Sequence, residues 1–223
     1  MNVYFDTEFT GLVKNTQLIS LGCIADNGNA FYAEFTDFDQ SNINEWLKLE
    51  VIPNLLFKKV GEYHEIVKSF DSEKKKEILP HGYEDIKDIH LVKGDSDTIK
   101  RDLISYFNTL ISNDDEKILL VSDVAHYDMT LFCNLFGGAL NLPKYIIPSC
   151  YDISVDIGAY VTEGENFTMA DITLAGFNYS REKLYSELYN IDMNTKKTIE
   201  SFKHNALFDA YIIKKIFNGI YGE

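Results

Sequence analysis

Apolar residues recur over five short stretches of the chain, and each stretch predicts a β-strand. The stretches are 2–6, 17–25, 30–35, 118–122 and 145–151. Asp26-Asn27-Gly28-Asn29 separates the second stretch from the third and has the composition of a hairpin turn. We therefore expect the first three strands to be antiparallel neighbours. The last two stretches are almost continuously apolar, which is typical of strands buried within a sheet.

Four other stretches have the apolar spacing of helices, and their ends carry the expected stop and start signals. They are 42–51, which Pro53 follows, 97–111, which Asp95 precedes as an N-cap, 127–136, which Gly137 follows, and 205–218. The lysine-rich segment 58–94 is weakly patterned and predicts no element. The pattern as a whole predicts a single domain over residues 1–223. Its class is α/β, with a mixed five-stranded sheet flanked by helices.

The composition, with 45% hydrophobic and 25% charged residues, is typical of a water-soluble globular protein. The three cysteines are far apart and odd in number, which favours reduced thiols in the cytoplasm over disulfides or a cysteine-based zinc site. No apolar stretch has the length of a membrane span or the pattern of a signal peptide. We therefore expect a cytoplasmic protein with no membrane partner, and a homodimer is compatible with the sequence.

The charge balance restricts how the chain could bind nucleic acid. Its net charge is −14, from 35 acidic against 21 basic residues. Nonspecific binding to long nucleic acid depends on Lys and Arg side chains that displace counterions, so this balance counts against it. Only Arg101 and Arg181 are arginines, and bidentate phosphate contacts are correspondingly scarce. If the substrate is a nucleic acid, bound metal must supply much of the local positive charge.

Three carboxylates stand where predicted strands end. Asp6 and Glu8 are two residues apart on the first strand, so their side chains point to the same face. Two carboxylates placed together repel each other, and a cation between them relieves the repulsion. Asp128 follows the fourth predicted strand, at an edge where α/β sheets bind ligands. Without other evidence, solvated acids at a strand end explain Asp6 and Glu8 equally well. Asp128 alone is better explained as an acid that a helix N-terminus favours.

The sharpest anomaly is Asp209, which stands among apolar neighbours in the last predicted helix. An unpaired charge is expensive in such a place. His204 lies five residues earlier, which on one regular helix is a rotation of about 140° away from Asp209. The two side chains converge more easily if His204 lies in the loop before the helix and Asp209 lies one turn inside it.

These residues resemble the motifs of the DEDDh branch of the DnaQ-like 3′→5′ exonuclease superfamily. Asp6-Thr-Glu8 is similar to the first motif, Tyr127-Asp128 to the second, and His204-x4-Asp209 to the third. The related tyrosine branch has Tyr four residues before the last Asp, where this chain has Asn205. Longer runs around these motifs resemble a compact exoribonuclease group first recognised in mycobacteria. They are 4–9, 18–22, 127–137 and 204–210.

The resemblance implies an RNase H-like fold and 3′→5′ hydrolysis of a single-stranded RNA or DNA 3′ end. It implies that Asp6, Glu8, Asp128 and Asp209 hold two Mg²⁺ or Mn²⁺ ions, which clamp the attacking and leaving oxygens. His204 would be the general base, because the pKa of histidine is close to neutral. We expect the nearby carboxylates to raise that pKa. The residues implied to hold the terminal nucleotide are Thr7, Phe9, Thr10 and Gly11.

Three other functions remain open at this point. A DNA exonuclease of the proofreading or trimming type carries the same motifs, and RNA is favoured only by the closer resemblance. A catalytically silent binding module on the same fold usually lacks one of the carboxylates, and this chain has all four. An RNase H-type endonuclease fits less well, because the spacing of His204 and Asp209 is typical of the exonucleases.

The remaining candidate residues are not predicted to take part in catalysis or metal binding. Many members of the family carry an Asn a few residues before the Asp of the second motif, a region where this chain has Asp123 and Ala125. We expect Asp123 to point into solvent. His126 is expected to be a partly buried residue at a helix start. His64, His81 and His90 are scattered along the sequence without ligand spacing, so they predict no zinc site.

Overall fold

A computed structural model describes residues 1–57, 62–68, 73–74, 85–113, 115–162 and 167–222. These residues contain a seven-stranded mixed sheet with the strand order β4-β5-β3-β2-β1-β6-β7. The strands are β1 (Asn2–Phe9), β2 (Leu18–Ala25), β3 (Ala30–Phe35), β4 (Tyr63–Val67), β5 (Ile89–Gly94), β6 (Ile118–Ser122) and β7 (Ile146–Asp152). The first three strands are antiparallel neighbours, as their hairpin and spacing predicted. β6 joins β1 in parallel, and β7 joins β6 in parallel.

Helices cover both faces of this sheet. They are α1 (Glu45–Glu50), α2 (Ser96–Leu110), α3 (His126–Leu135), α4 (Ser154–Val161), α5 (Met169–Asn178), α6 (Arg181–Leu188), α7 (Met193–Glu200) and α8 (Ala206–Tyr221). Short 3₁₀ helices add Gln40–Asn42, Ile52–Asn54 and Ala139–Asn141. The predicted caps are present, since the Asp95 carboxylate accepts a hydrogen bond from Thr98 N at the start of α2. None of the described helices combines the length and the apolar composition that a membrane crossing needs.

Strand alternation divides the core into two apolar layers, one on each face of the sheet. On one face α8 packs against Tyr4, Ile24 and Tyr32. On the other face Phe5 and Phe31 belong to the layer that α2 and α3 cover. We call these the α8 face and the α2 face. The continuously apolar sequence of α8 follows from this position, because most of its residues are buried.

The expectation of five strands is wrong, because the sheet has seven. The two additional strands, β4 and β5, lie in the segment 58–94 that predicted no element. Polar residues interrupt their apolar pattern, and the partners of those residues are distant in sequence. Lys93 on β5, for example, contacts Glu34 on β3 at 3.2 Å. The interpretation of 145–151 as a buried strand is also wrong, since most of β7 is half-buried or exposed at the edge of the sheet.

Gly22 sets how closely α8 approaches the sheet. It lies on β2 directly opposite Asp6 of β1. A Cβ atom at position 22 would lie 2.3 Å from the carbonyl oxygen of Ala206, in the first turn of α8. No side chain fits at that distance, so the start of α8 can rest on β2 beside Asp6 only if residue 22 is glycine.

We expect Gly22→Ala to lower the free energy of unfolding by at least about 1–3 kcal/mol, because the added methyl group meets backbone atoms. The matched control is Gly94→Ala, whose added methyl group would meet the side chain of Thr98 at 3.1 Å. Chemical unfolding followed by circular dichroism measures both variants. Equal stability of the two variants would contradict the close approach at position 22.

Candidate active site

β1 presents Asp6 and Glu8 on the α8 face, as their two-residue spacing predicted. Glu8 is 8% exposed. The Oδ2 atom of Asp6 is buried and has no hydrogen-bond partner among the residues that the structure describes. Burial is the largest cause that raises the pKa of Asp6, and the carboxylates of Asp128, Asp209 and Glu8 raise it further. A buried carboxylate oxygen without a donor is a place where a cation lowers the energy of the site.

Asp128 lies in the first turn of α3 and is fixed by the backbone and side chain of β1. Its Oδ1 atom accepts hydrogen bonds from Thr7 N at 3.0 Å and from Thr7 Oγ1 at 2.5 Å. Burial raises the pKa of Asp128 to about 6, and the bonds from Thr7 limit the rise. Because Oδ1 is taken up by Thr7, Asp128 can offer its other oxygen to a ligand.

The turn before α3 is held by a carboxylate from the end of β7. Asp152 accepts hydrogen bonds from Val124 N and Ala125 N, both at 3.1 Å. Val124 has φ of 50°, which is unfavourable for a β-branched residue, so the turn needs outside support. Asp152 therefore contributes to the site indirectly, because it fixes the turn that sets the position of Asp128.

His204 and Asp209 converge in the way that their spacing predicted. Asn205 is the N-cap of α8, His204 lies in the loop before it, and Asp209 lies in the first turn. His204 N donates to Asp209 Oδ2 at 3.0 Å, and His204 Nδ1 lies 3.8 Å from Glu8 Oε1. One donor atom each from Glu8, His204 and Asp209 fall within 4.8 Å of one another.

Asn54 clamps the loop that carries His204. Its side chain donates to Lys203 O at 2.7 Å, and its carbonyl oxygen accepts from Asn205 Nδ2 at 2.6 Å. His204 has φ of 64°, in the left-handed region, so this clamp holds a conformation that is uncommon for residues other than glycine. Neither the clamp nor Asn54 is signalled by the sequence, because the two partners are about 150 residues apart.

Burial governs the electrostatics of the site. It is the largest cause that raises the pKa of Glu8 and of Asp209. Burial also lowers the pKa of His204, and Lys203 lowers it further. The expectation that surrounding carboxylates raise the His204 pKa is therefore wrong for the metal-free chain. Removal from water disfavours every charged form here, and the four carboxylates can relieve their own charge by holding protons.

The carboxylates open into a cavity of about 1190 Å³. Thr7, Phe9 and Gly11 line it, while Thr10 lies in a neighbouring depression, where its hydroxyl accepts from Gln17 N at 3.0 Å. The ring of Phe9 stacks on that of Tyr127, with centroids 5.5 Å apart. Nucleotide binding by the residues from Thr7 to Gly11 stays a prediction.

Apolar side chains that the sequence did not single out stand around the same cavity. Trp46 of α1 is 51% exposed and Phe177 of α5 is 58% exposed. The Trp46 ring meets the His204 ring edge to face, with centroids 5.0 Å apart. Two exposed aromatic rings therefore lie on the wall of the same cavity as the buried carboxylates.

Two expectations beside the second motif are corrected. Asp123 does not point into solvent, because Arg181 of α6 donates to both of its carboxylate oxygens. The guanidinium also donates to the carbonyl oxygens of Gly176 and Tyr179, so Arg181 fixes α6 against the cavity wall. His126 is at a helix start as expected, but its side chain is exposed.

No protein-family model matches the chain. Over 55 residues, which are 25% of this chain, the sequence is 36% identical to a curated protein described as a 3′-5′ exoribonuclease of Mycobacterium tuberculosis strain CDC 1551 / Oshkosh. A 3′-5′ exoribonuclease of strain ATCC 25618 / H37Rv matches to the same extent. The match covers 33% of the length of these curated relatives. It supports a relationship to 3′-5′ exonucleases.

The raised pKa of Asp128 predicts a pH dependence of stability in the metal-free chain. The folded-state pKa is about 6, above the value of about 4 for an unfolded chain. The folded chain therefore binds more protons between these values, and the Asp128 contribution to stability falls as the pH rises through them. We expect Asp128→Asn, which keeps an acceptor for Thr7, to be more stable than the unsubstituted chain at pH 7, by about 1–3 kcal/mol. The difference should shrink towards pH 4.

Urea unfolding in the presence of a chelator measures this difference across the pH range. Asp152→Asn is the matched control with the opposite sign. Burial raises the pKa of Asp152, but the hydrogen bonds from Ser154, Ala125 and Val124 outweigh burial and lower it overall. That variant should lose stability at pH 7. A gain from Asp128→Asn that does not change with pH would contradict the proposed cause.

Proposed function

We propose that the protein is a metal-dependent 3′→5′ exonuclease of the DEDDh type, acting on the 3′ end of single-stranded RNA. Residues 1–223 would form one such domain with an RNase H-like fold, enlarged by β4 and β5. The observation that carries the proposal is the convergence of four acidic side chains and one histidine from distant parts of the chain. They are Asp6, Glu8, Asp128, His204 and Asp209.

The residues present fit Mg²⁺ or Mn²⁺. Carboxylate oxygens are the donors that these hard cations prefer. The buried Oδ2 of Asp6 has no hydrogen-bond partner among the described residues, and the pKa of Glu8 beside it is raised, so a divalent cation would lower the energy of this site. Asp6, Glu8, Asp128 and Asp209 would hold two ions. When bound, they supply the positive charge that stabilises the attacking and leaving oxygens of the scissile phosphate.

The surroundings of His204 support a role as general base. Its pKa is lowered below the usual value, because burial and Lys203 disfavour the charged ring, and this shift favours the neutral form. A neutral imidazole can take the proton of the attacking water. Its backbone N–H donates to Asp209, so the base and one carboxylate are fixed relative to each other.

The cavity also has features that suit a single-stranded chain end. The exposed rings of Trp46 and Phe177 offer surfaces on which bases can stack without regard to sequence. Arg181 is occupied by Asp123 and two carbonyl groups, so it offers little to a phosphate. The preference for RNA over DNA rests on the described activity of the mycobacterial relatives.

The deciding experiment uses 5′-labelled single-stranded RNA and a DNA of the same sequence, with Mg²⁺ or Mn²⁺, resolved at single-nucleotide steps. We expect a ladder that shortens from the 3′ end on RNA, release of nucleoside 5′-monophosphates, and inhibition by a 3′-terminal phosphate. Asp6→Asn and Asp209→Asn should abolish the ladder, because each removes a charge that holds the ions.

The matched control is Asp97→Asn, which changes an exposed carboxylate on α2 and should leave the ladder unchanged. Faster degradation of the DNA would replace RNA by DNA in the proposal. Rapid cleavage of a circular substrate would reject an exonuclease. If neither nucleic acid is shortened but both bind, the protein is a silent module. Binding can be followed directly, because Trp46 is the only tryptophan in the chain and adjoins His204.

The role of His204 is best tested by His204→Asn. Asparagine tolerates the left-handed backbone of this position better than alanine does, so the loop should stay in place. We expect kcat to fall about 10²–10⁴-fold while KM changes little, since a general base acts on the chemical step. Unchanged kcat at saturating Mg²⁺ would make His204 a structural residue. His126→Asn, which changes an exposed histidine of the same cavity, is the control.

A further inference from the structure

A second cluster of potential ligands lies on the α2 face, near the edge of the sheet. His64 of β4, His90 of β5 and Asp102 of α2 bring one donor atom each to a common point. His64 Nδ1 lies 3.0 Å from Asp102 Oδ2 and 3.4 Å from His90 Nε2. His90 Nε2 lies 3.8 Å from Asp102 Oδ2. The sequence predicted no zinc site here, because the three residues come from separate elements.

The spacing of these atoms matches a tetrahedral metal site. Zinc binds imidazole nitrogen and carboxylate oxygen at about 2.0–2.2 Å. A tetrahedron with such bonds has edges of about 3.3–3.6 Å. The three observed separations, 3.0, 3.4 and 3.8 Å, lie around that value, so an ion could reach all three atoms with only small movements of the side chains.

Within the part of the chain that the structure describes, hydrogen bonding alone leaves this arrangement incompletely satisfied. Two imidazole nitrogens face each other at 3.4 Å and share a single carboxylate oxygen. If both rings are neutral, the proton of one ring serves only one of these contacts. If both are charged, they repel. A cation accepts all three lone pairs at once and removes this conflict.

Packing against the protein interior holds His90, one of the three ligands, in place. The His90 side chain is 11% exposed, and its ring meets the Phe31 ring edge to face at 5.3 Å. Burial is the largest cause that lowers the pKa of His90, which favours the neutral ring that a metal needs. The His64 side chain is 54% exposed, so an ion from solution can reach its ring.

We propose that His64, His90 and Asp102 form a second metal site, specific for a late first-row divalent cation such as Zn²⁺. Imidazole ligands favour zinc over magnesium, whereas the all-carboxylate set of the active site favours magnesium or manganese. The two sites therefore select different metals. The new site would join β4, at the edge of the sheet, to helix α2.

This site is separate from the candidate active site. His90 lies beside Phe31 on the α2 face, whereas Asp6 and Glu8 lie on the α8 face. Strands β3 and β2 stand between β5 and β1. With about 4.8 Å per strand, β5 and β1 are about 14 Å apart. Loss of the second site should therefore leave Mg²⁺-dependent turnover unchanged.

Equilibrium dialysis of the full chain against Zn²⁺, in excess Mg²⁺, tests the proposal. We expect His64→Ala and Asp102→Asn each to bind one Zn²⁺ fewer than the unsubstituted chain. Zn²⁺ should also raise the melting temperature of the unsubstituted chain more than that of either variant. Asp97→Asn, which removes an exposed carboxylate from the same helix, should bind as many Zn²⁺ ions as the unsubstituted chain.

The number of bound Zn²⁺ ions is measured independently of nuclease activity. Any Zn²⁺ that binds to the active-site carboxylates should bind equally to all the variants. His64 is more than half exposed, so its replacement by alanine should not prevent folding. The circular dichroism spectrum without metal checks this. Equal Zn²⁺ stoichiometry in the unsubstituted chain, His64→Ala and Asp102→Asn would overturn the proposal. So would a loss of one Zn²⁺ in Asp97→Asn.

Discussion

The burial of four carboxylates in one site is the constraint around which this structure is organised. Burial and mutual proximity raise the pKa of Asp6, Glu8 and Asp209 well above their usual range. The fold has to supply an opposing free energy, and the apolar layer between α8 and the sheet does so. Each fully buried Ile, Leu or Phe contributes about 1.5–3 kcal/mol to folding. The buried apolar layer therefore opposes the cost of burying the carboxylates.

The parts of the site that are local in sequence could be predicted, and the parts that join distant segments could not. The alternation of Asp6 and Glu8 and the placement of His204 outside α8 follow from strand and helix geometry alone. The pairing of Asp123 with Arg181 and the clamp by Asn54 join residues from different elements. No periodicity encodes such contacts. β4 and β5 escaped prediction for the same reason, since their polar residues are matched across the fold.

Positioning and chemistry are divided between different residues in this site. Asn54 and Asp152 each fix a segment that carries the base or an acid, and Thr7 holds one oxygen of the Asp128 carboxylate directly. The strained backbone at Val124 and His204 lies in these supported segments. Strain of this kind persists only where surrounding bonds determine the conformation, and it accumulates at functional sites.

Gly22 has a further consequence for how the protein would respond to random mutation. It carries no functional group, but it is the only residue type that lets the first turn of α8 lie against β2 opposite Asp6. In a library selected for activity, position 22 would be as intolerant as the acidic positions and would be scored among them. A parallel selection for the amount of folded protein would separate the two groups. Position 22 would fail both selections, whereas an amide in place of an acid would fail only the first.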